Sequence, residues 1–209
     1  MYKIGILDDH GIVREGLARI IAGEPDMDCH WQGSRGTDIW NPSFPKDLDV
    51  LLLDLNLPDR SGLEVLKDLQ TSFPSIKILV LSMHPEHRFA QRVIQSGAKG
   101  YLVKEESPEM LTKAIRKILA GSFFLSDNAT EILANNEHKD RSKEPHELLS
   151  DREYELLLLL AQGRDTKDAA NQMGIALSTA HTFRKRLLEK LQLQSNSDII
   201  HYALNRNLV

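Results

Sequence analysis

The sequence contains a single cysteine, Cys29, among its 209 residues. One thiol cannot form an internal disulfide, and it cannot supply a metal site that needs several cysteine ligands. The sequence also lacks an apolar run close to the roughly 18 residues that a membrane-spanning helix requires. Residues 1–9 have a strand pattern and no signal-peptide pattern. We therefore expect a cytoplasmic protein without disulfides.

The chain has no large excess of charge of either sign. Its 26 Lys/Arg and 30 Asp/Glu residues give a net charge of −4. Residues 1–134 hold 15 Lys/Arg against 19 Asp/Glu, and residues 146–209 hold eight of each. The excess acid therefore belongs to the first part. The length predicts one domain of roughly 120 to 130 residues followed by a smaller one.

The first part alternates apolar runs with amphipathic stretches. Strands are predicted over residues 3–7, 27–33, 50–54, 76–82 and 99–104, and helices over residues 12–22, 63–73, 88–96 and 108–120. Pro42 and Pro45 interrupt the remaining stretch, residues 37–46, where we expect a short or irregular helix. Ser107 and Pro108 are a favourable N-cap and first residue for the last helix. Five βα units in succession predict a doubly wound parallel sheet of order 2-1-3-4-5.

Polar side chains follow the carboxyl ends of four predicted strands. Asp8 and Asp9 follow the first strand, and Asp54 ends the third. Ser82 ends the fourth strand, and Lys104 ends the fifth. In a sheet of order 2-1-3-4-5 these ends meet near the switch point. Three neighbouring carboxylates repel one another unless a cation is present, and their oxygen ligands suit Mg²⁺.

This set of residues predicts a metal-assisted phosphoryl transfer in which Asp54 is the nucleophile. Lys104 offers a positive charge to a phosphoryl oxygen, and Ser82 offers a hydroxyl that can follow the new group. The product would be an acyl phosphate that adds about −1.5 to −2 charge. Taken alone, the Asp8-Asp9 pair is more often an exposed acidic loop. The other strand-end groups favour the chemical interpretation.

Residues 1–125 resemble the receiver domain of bacterial two-component response regulators. The matching motifs are Asp8-Asp9, Asp54 followed by Pro58 and Gly62, Leu81-Ser82-Met83, and residues 97–104. The resemblance implies a flavodoxin-like (βα)5 fold and phosphorylation of Asp54 by a partner sensor histidine kinase. It implies catalytic roles for Lys104 and Ser82 and a switch formed by Ser82 and Tyr101. It also implies a Mg²⁺ site formed by Asp8, Asp9, Asp54 and the backbone carbonyl of Asn56.

Other interpretations of these residues remain open. Without the family pattern, Tyr101 on a strand is more often a core residue than a switch. His84 and His87 share one loop and are expected to be solvated rather than metal ligands. Because His84 follows Ser82 closely, we expect His84 and Asn56 to tune how fast water reaches the phosphoryl group. An aspartyl-phosphate phosphatase generally needs a second acid where this chain has Asn56, so an enzyme is not expected.

Residues 126–145 form a predicted linker, because they are polar, mixed in charge and nearly without core residues. A short helix is expected over residues 129–133. The domain prediction is therefore a receiver over residues 1–125 and a second domain over residues 146–209.

Residues 146–209 show helical patterns throughout. Ser150 and Glu153 have the spacing of a capping box, and the helix that they open should end near Gly163. Further helices are predicted over residues 166–173, 179–191 and 197–204, the second of them capped by Ser178. A short turn with Gly174 separates the helix over residues 166–173 from the one over residues 179–191. The latter carries the basic residues Arg184, Lys185, Arg186 and Lys190. This arrangement predicts a helix-turn-helix whose second helix enters the DNA major groove.

This region resembles the LuxR/NarL-type DNA-binding domain. The matching motifs include Leu149-Ser150-x-Arg152-Glu153, Met173-Gly174-Ile175, Ser178-Thr179 and Tyr202-Ala203-Leu204. The resemblance implies base contacts by His181, Thr182 and Lys185, phosphate contacts by Lys167, Thr179 and Arg186, and a dimer surface on the last helix. Ala180, His181 and Phe183 depart from the residues usual at their positions, so the resemblance does not imply an operator sequence.

Together the two regions predict a DNA-binding transcriptional regulator controlled by phosphorylation of Asp54. The alternative for the basic run is a solvated face, which is consistent with the zero net charge of residues 146–209. Because each copy offers few basic groups, we expect a homodimer on paired half-sites upon activation. A receiver that acts through protein contacts, without a DNA target, is the remaining alternative.

Overall fold

The computed structural model describes residues 1–83, 86–125, 144–206 and 208–209. The chain forms two compact units, Met1–His138 and Lys139–Val209. The division between them falls inside the predicted linker, residues 126–145, whereas the exact domain bounds stay predictions. The helix expected over residues 129–133 lies outside the described residues. Within the described part of the chain, no helix combines the length and apolar composition needed to cross a membrane.

The first unit is built around a five-stranded parallel sheet. Its strands are β1 (Tyr2–Leu7), β2 (Met27–Gly33), β3 (Val50–Asp54), β4 (Lys77–Ser82) and β5 (Gly100–Val103). They lie in the order β2-β1-β3-β4-β5, so the predicted fold is confirmed. All five residues of β3 are buried, as expected for a central strand of a parallel sheet covered on both faces.

Among the described residues of this unit, four α-helices accompany the sheet. They are α1 (Gly11–Ala22), α2 (Gly62–Ser72), α3 (Glu86–Gln95) and α4 (Pro108–Leu119). Ile21 of α1 and Ile115 of α4 share one buried cluster with sheet residues such as Leu52 and Leu79. Ser107 is the N-cap of α4 as predicted, but its side chain makes no capping hydrogen bond to the helix backbone. Its hydroxyl instead donates to the Glu109 carboxylate, which lowers the pKa of Glu109.

The stretch with two prolines forms a short 3-10 helix, Gly36–Trp40, which confirms the expected irregularity. Asp59 holds the start of this helix, because its carboxylate accepts hydrogen bonds from the backbone N–H groups of Gly36 (2.7 Å) and Thr37 (3.0 Å). Phe44 follows the helix and packs against Trp31 and Phe73, with ring centroids 4.9 and 5.1 Å apart. Aromatic contacts therefore cover this part of the sheet in place of a regular helix.

The chain returns to the edge of the sheet after α4. The backbone N–H of Phe124 donates to the Lys99 carbonyl (2.9 Å), and the N–H of Tyr101 donates to the Phe124 carbonyl (3.1 Å). Gly100 permits this close approach, because a Cβ at its position would lie 2.9 Å from the Phe124 carbonyl oxygen. The first residues after α4 are therefore attached to β5.

The second unit is helical. Its described residues include a 3-10 helix, Pro145–Leu148, followed by α5 (Asp151–Ala161), α6 (Thr166–Gln172), α7 (Leu177–Leu191) and α8 (Asn196–Asn205). The predicted capping box is confirmed, since Glu153 N–H donates to Ser150 Oγ and Ser150 N–H donates to the Glu153 carboxylate. The centre of α5 is buried, from Leu156 to Leu160.

The prediction that Ser178 caps the DNA-recognition helix is wrong. The backbone becomes helical at Leu177, after Ala176, so Ser178 lies in the first turn of α7. Its carbonyl accepts a hydrogen bond from the Thr182 hydroxyl at 3.0 Å. The pattern also missed a second capping box, in which Ser195 caps α8 and its hydroxyl accepts a hydrogen bond from Asp198 N–H.

Candidate functional site

An acidic pocket lies at the carboxyl ends of β1, β3 and β5. Asp54 ends β3 and is 2% exposed, and Asp8 follows β1 and is 1% exposed. The ammonium group of Lys104 lies 2.7 Å from Asp54 Oδ2 and 2.7 Å from Asp8 Oδ2. The structure therefore brings together three of the strand-end residues singled out in the sequence. It buries the two carboxylates and leaves the Lys104 side chain 8% exposed.

The loop after Asp54 folds back on the phosphoacceptor candidate. The backbone N–H of Asn56 donates to Asp54 Oδ1 at 3.2 Å, and that of Gly62 donates to the Leu55 carbonyl at 2.9 Å. A Cβ at Gly62 would lie 2.4 Å from the Asp54 carbonyl oxygen, so no side chain fits there. This close return explains the Pro58 to Gly62 turn that follows Asp54 in the sequence.

The pocket shifts the pKa values of Asp54 and Lys104. Burial raises the pKa of Asp54 to about 6; the negative charge of Asp8 also raises it, and Lys104 opposes both effects. Burial alone would lower the pKa of Lys104, but its attraction to Asp54 and Asp8 outweighs burial and raises that pKa. A buried carboxylate pair with one neighbouring cation is typical of a functional site.

The outer side of the pocket carries Asp9 and His10. His10 Nδ1 lies 2.7 Å from Asp9 Oδ1, and its backbone N–H donates to Asp8 Oδ1 at 2.8 Å. Arg14 fixes the same loop, because its guanidinium donates to the Asp8 carbonyl at 2.7 Å. Sequence reasoning did not select His10 or Arg14. The position of His10 directly after two strand-end carboxylates was the available signal.

The donor atoms of this pocket fit a divalent cation. Asp8 and Asp54 are both buried, and the ammonium of Lys104 lies 2.7 Å from an oxygen of each. One positive charge offsets only one of the two buried carboxylates, and a buried charge that is not offset is costly. One possible donor atom from each of Asp8, Asp9, His10 and Asp54 lies within 4.8 Å of the other three.

Ser82 and Tyr101 lie inside the first unit. Ser82 is fully buried at the end of β4, and its carbonyl accepts a hydrogen bond from Lys104 N–H at 2.8 Å. Tyr101 is 2% exposed on β5. Strand pairing sets Asp54 opposite Leu81, one residue before Ser82. His84 lies outside the described residues, so the expectation about it stays a prediction.

The second unit presents a polar helix face. The six residues predicted to contact DNA are all exposed, namely Lys167 on α6 and Thr179, His181, Thr182, Lys185 and Arg186 on α7. Ala180, Leu187 and Leu191 form the buried side of α7. The helix thus has one side packed in the unit and one side available to a partner.

Two basic residues of α7 are engaged within the unit. Arg184 Nε donates to Asn196 Oδ1 at 2.8 Å, at the start of α8. Lys190 donates to the Glu153 carboxylate at 2.6 Å, and this carboxylate is almost fully buried. Both contacts fix the orientation of α7. Lys185 and Arg186 are exposed on the same helix, and the Lys185 ammonium lies 3.9 Å from Glu189 Oε1.

Comparisons with known protein families agree with this arrangement. The profile of the response regulator receiver domain matches residues 4–116, more than half of the chain. The chain belongs to the two-component response regulators. The profile of the bacterial regulatory proteins of the luxR family matches residues 147–203. This response regulator therefore couples a receiver to a LuxR-type helix-turn-helix, and it is a DNA-binding transcription regulator.

Relatives of the same domain composition extend over the whole chain. The oxygen regulatory protein NreC of Staphylococcus epidermidis is 33% identical over 99% of both chains. NreC of Staphylococcus carnosus is 31% identical over the same shares. The response regulator therefore resembles these proteins along its full length.

Solved structures show the same two-part architecture. The response regulator ChrA of a heme-sensing two-component system is 25% identical, covers 99% of this chain and 98% of its own, and superposes with a TM-score of 0.51. RcsB from Salmonella enterica serovar Typhimurium, bound to promoter rprA with the phosphomimetic BeF₃⁻, is 23% identical over 96% of this chain and 97% of its own. Its TM-score of 0.62 supports the fold.

Proposed function

We propose that a partner sensor histidine kinase phosphorylates this response regulator on Asp54 and that the phosphorylated form binds DNA as a homodimer. The observation that carries the proposal is the buried contact of Asp54 with Lys104 at the end of β3. A carboxylate held in this way, with a second carboxylate and an ammonium beside it, is equipped to accept a phosphoryl group. The regulator works in the cytoplasm, where its DNA lies.

Asp54 is the nucleophile of the proposed transfer. One of its carboxylate oxygens forms the new bond to phosphorus, while the bond between phosphorus and the imidazole nitrogen of the kinase histidine breaks. Lys104 then bonds a phosphoryl oxygen, since its ammonium already lies 2.7 Å from Asp54 Oδ2. The regulator converts no other substrate, because the chain has Asn56 where the phosphatases with this nucleophile carry a second acid.

The proposed cofactor is Mg²⁺. Asp8, Asp9, Asp54 and the backbone carbonyl of Asn56 would hold it. A bound Mg²⁺ would offset the negative charge of the carboxylates and of the incoming phosphoryl group. Two buried carboxylates, Asp8 and Asp54, that share the ammonium of Lys104 support this assignment.

Ser82 and Tyr101 form the proposed switch. The Ser82 hydroxyl would move toward the phosphoryl group, and the Tyr101 ring would follow within the space around β5. Two backbone hydrogen bonds support the proposal that β5 transmits a change in the pocket to the residues after α4. Lys104 N–H bonds to Ser82 on one side, and Tyr101 N–H bonds to Phe124 on the other. A change in the pocket would thus reach the residues that lead into the linker.

The proposed DNA interface is the exposed side of α7 together with Lys167. His181, Thr182 and Lys185 would contact base edges, while Lys167, Thr179 and Arg186 would contact phosphates. Few basic groups per copy give weak, salt-sensitive binding by one unit. Two copies on paired half-sites are therefore needed, with α8 as the dimer surface.

The test compares the wild type with Asp54→Ala by light scattering and by DNA retardation at fixed salt, each with and without Mg²⁺ and acetyl phosphate. The wild type should dimerise and bind a genomic fragment more tightly in the presence of both additions. The variant should remain unchanged. Equal DNA binding by both proteins under all conditions would leave the DNA-binding function and refute control through Asp54.

A further inference from the structure

His10 adds a nitrogen atom to the carboxylates of the acidic pocket. Its Nδ1 lies 2.7 Å from Asp9 Oδ1, 3.3 Å from Asp8 Oδ1 and 3.9 Å from Asp54 Oδ2. A surface histidine usually pairs with one carboxylate. His30 on β2 is such a case, with Nδ1 at 3.2 Å from Asp28. Contact with three carboxylates sets His10 apart from an ordinary surface ion pair.

These separations match the spacing of donor atoms around a six-coordinate metal ion. With bonds of about 2.1 Å, adjacent donors of an octahedron are about 3.0 Å apart and opposite donors about 4.2 Å apart. The distances from His10 to Asp9 and Asp8 are near the first value, and the distance to Asp54 is near the second. The hydrogen bond from His10 N–H to Asp8 Oδ1 holds the backbone in this position.

Exposure divides the pocket into two sides. Lys104 contacts Asp8 and Asp54 from the buried side, where its own side chain is 8% exposed. The side chains of Asp9 and His10 are 31% and 61% exposed. An ion from solution can therefore reach the carboxylates past His10, whose ring adjusts without disturbing the core.

We propose that His10 is a metal ligand and that it makes this pocket bind first-row transition-metal dications such as Ni²⁺ and Co²⁺ more tightly than Mg²⁺. The inference rests on the proposed function, because it concerns the pocket around Asp54. Mg²⁺ prefers oxygen ligands and gains little from an imidazole. Ni²⁺ and Co²⁺ bind imidazole well and stand above Mn²⁺ in the general order of affinities.

The test measures Ni²⁺ and Mg²⁺ binding to the full-length protein by titration calorimetry. His10→Asn removes the imidazole and leaves a favourable N-cap residue at the start of α1. His30→Asn is the matched control, because it removes a histidine that pairs with one aspartate on the same unit. A second variant, His10→Ala, checks that the asparagine amide itself does not bind the ion.

Loss of a ligand should cost at least about ten-fold in Ni²⁺ affinity, since even the removal of an outer-shell partner of a metal site typically costs that much. Mg²⁺ affinity should change by less than about two-fold in both His10 variants, and His30→Asn should leave both affinities unchanged. Unchanged Ni²⁺ affinity in the His10 variants would overturn the inference, as would an equal change for both ions.

The measurement also separates this inference from the proposed function. If the wild type binds Mg²⁺ and the His10 variants bind Ni²⁺ as the wild type does, the nitrogen ligand is refuted while the proposed cofactor stands. If the wild type binds Ni²⁺ through His10 but does not bind Mg²⁺, the nitrogen ligand is supported and the proposed cofactor is refuted.

Discussion

Replacing Asp54 by asparagine should stabilise the receiver in the absence of metal. The folded pocket raises the pKa of Asp54 to about 6, against an ordinary value of 3.8. Each pKa unit corresponds to about 1.4 kcal/mol, so ionisation of Asp54 costs the folded state about 3 kcal/mol near pH 7. Asp54→Asn removes this cost and leaves Lys104 paired with Asp8. The free energy of unfolding should therefore rise by an amount of that order.

The gain should depend on pH in a defined direction. Between about pH 4 and pH 6, folded Asp54 retains a proton that the unfolded chain has released. Below about pH 4, Asp54 is therefore protonated in both states and does not destabilise the wild type. The stability of the wild type falls as the pH rises through about 6, because folded Asp54 then ionises. The advantage of Asp54→Asn should be largest near pH 7 and should disappear near pH 4.

Urea unfolding followed by tryptophan fluorescence can measure this effect for the receiver alone. Both tryptophans of the chain, Trp31 and Trp40, belong to the first unit. Asp28→Asn, at an exposed position on β2 beside His30, is the control and should not show the gain. Mg²⁺ should stabilise the wild type more than Asp54→Asn. An equal gain at pH 4 and pH 7 would refute the argument from the buried charge.

Three further changes test other parts of the molecule. Ser150→Ala should lower the unfolding free energy of the second unit by about 1 kcal/mol, because the Glu153 N–H loses its capping acceptor; thermal unfolding monitored by circular dichroism measures this, and an unchanged midpoint would contradict it. Gly100→Ala should detach Phe124 from β5 and lower the free energy of unfolding by about 1 to 3 kcal/mol, since the new Cβ overlaps the Phe124 carbonyl. Faster amide hydrogen exchange at Tyr101 would show the detachment, and unchanged exchange would contradict it. Arg186→Gln should reduce the salt dependence of DNA binding by about one phosphate contact per protomer, without changing the preferred DNA sequence. Titrations of two DNA sequences at several salt concentrations measure both properties. A changed sequence preference would instead indicate a base contact by Arg186.

The sheet and the acidic pocket could be predicted because short-range signals determine both. Apart from β2, the strands are largely apolar runs. In this topology a polar residue at the end of such a run joins the others at one edge. Asp8, Asp54 and Lys104 meet as this rule predicts. The 3-10 helix at Gly36–Trp40 depends on Asp59, which is distant in the sequence, and the proline positions alone could not define its bounds.

Side-chain contacts in the second unit were harder to predict, because they join residues that lie on different helices. Helical periodicity separates buried from exposed positions, but it does not reveal which exposed cations find a partner elsewhere in the unit. Arg184 and Lys190 belong to the basic run of α7, yet their partners, Asn196 and Glu153, lie on α8 and α5. The start of α7 at Leu177 likewise depends on the backbone of Ala176, where an alanine gives no capping signal.

β5 connects the acidic pocket to the residues that follow α4. β5 is the edge strand, so one side of its backbone is bonded to β4 and the other is free to bond elsewhere. Lys104 follows it in the pocket, and Phe124, only a few residues past α4, bonds to Tyr101 on its outer side. In the proposed phosphorylated form, a displacement of Lys104 or Ser82 would therefore shift a strand that also holds Phe124. Because two backbone hydrogen bonds are a weak attachment, we expect a small displacement of β5 to be sufficient to break the contact between Phe124 and this strand.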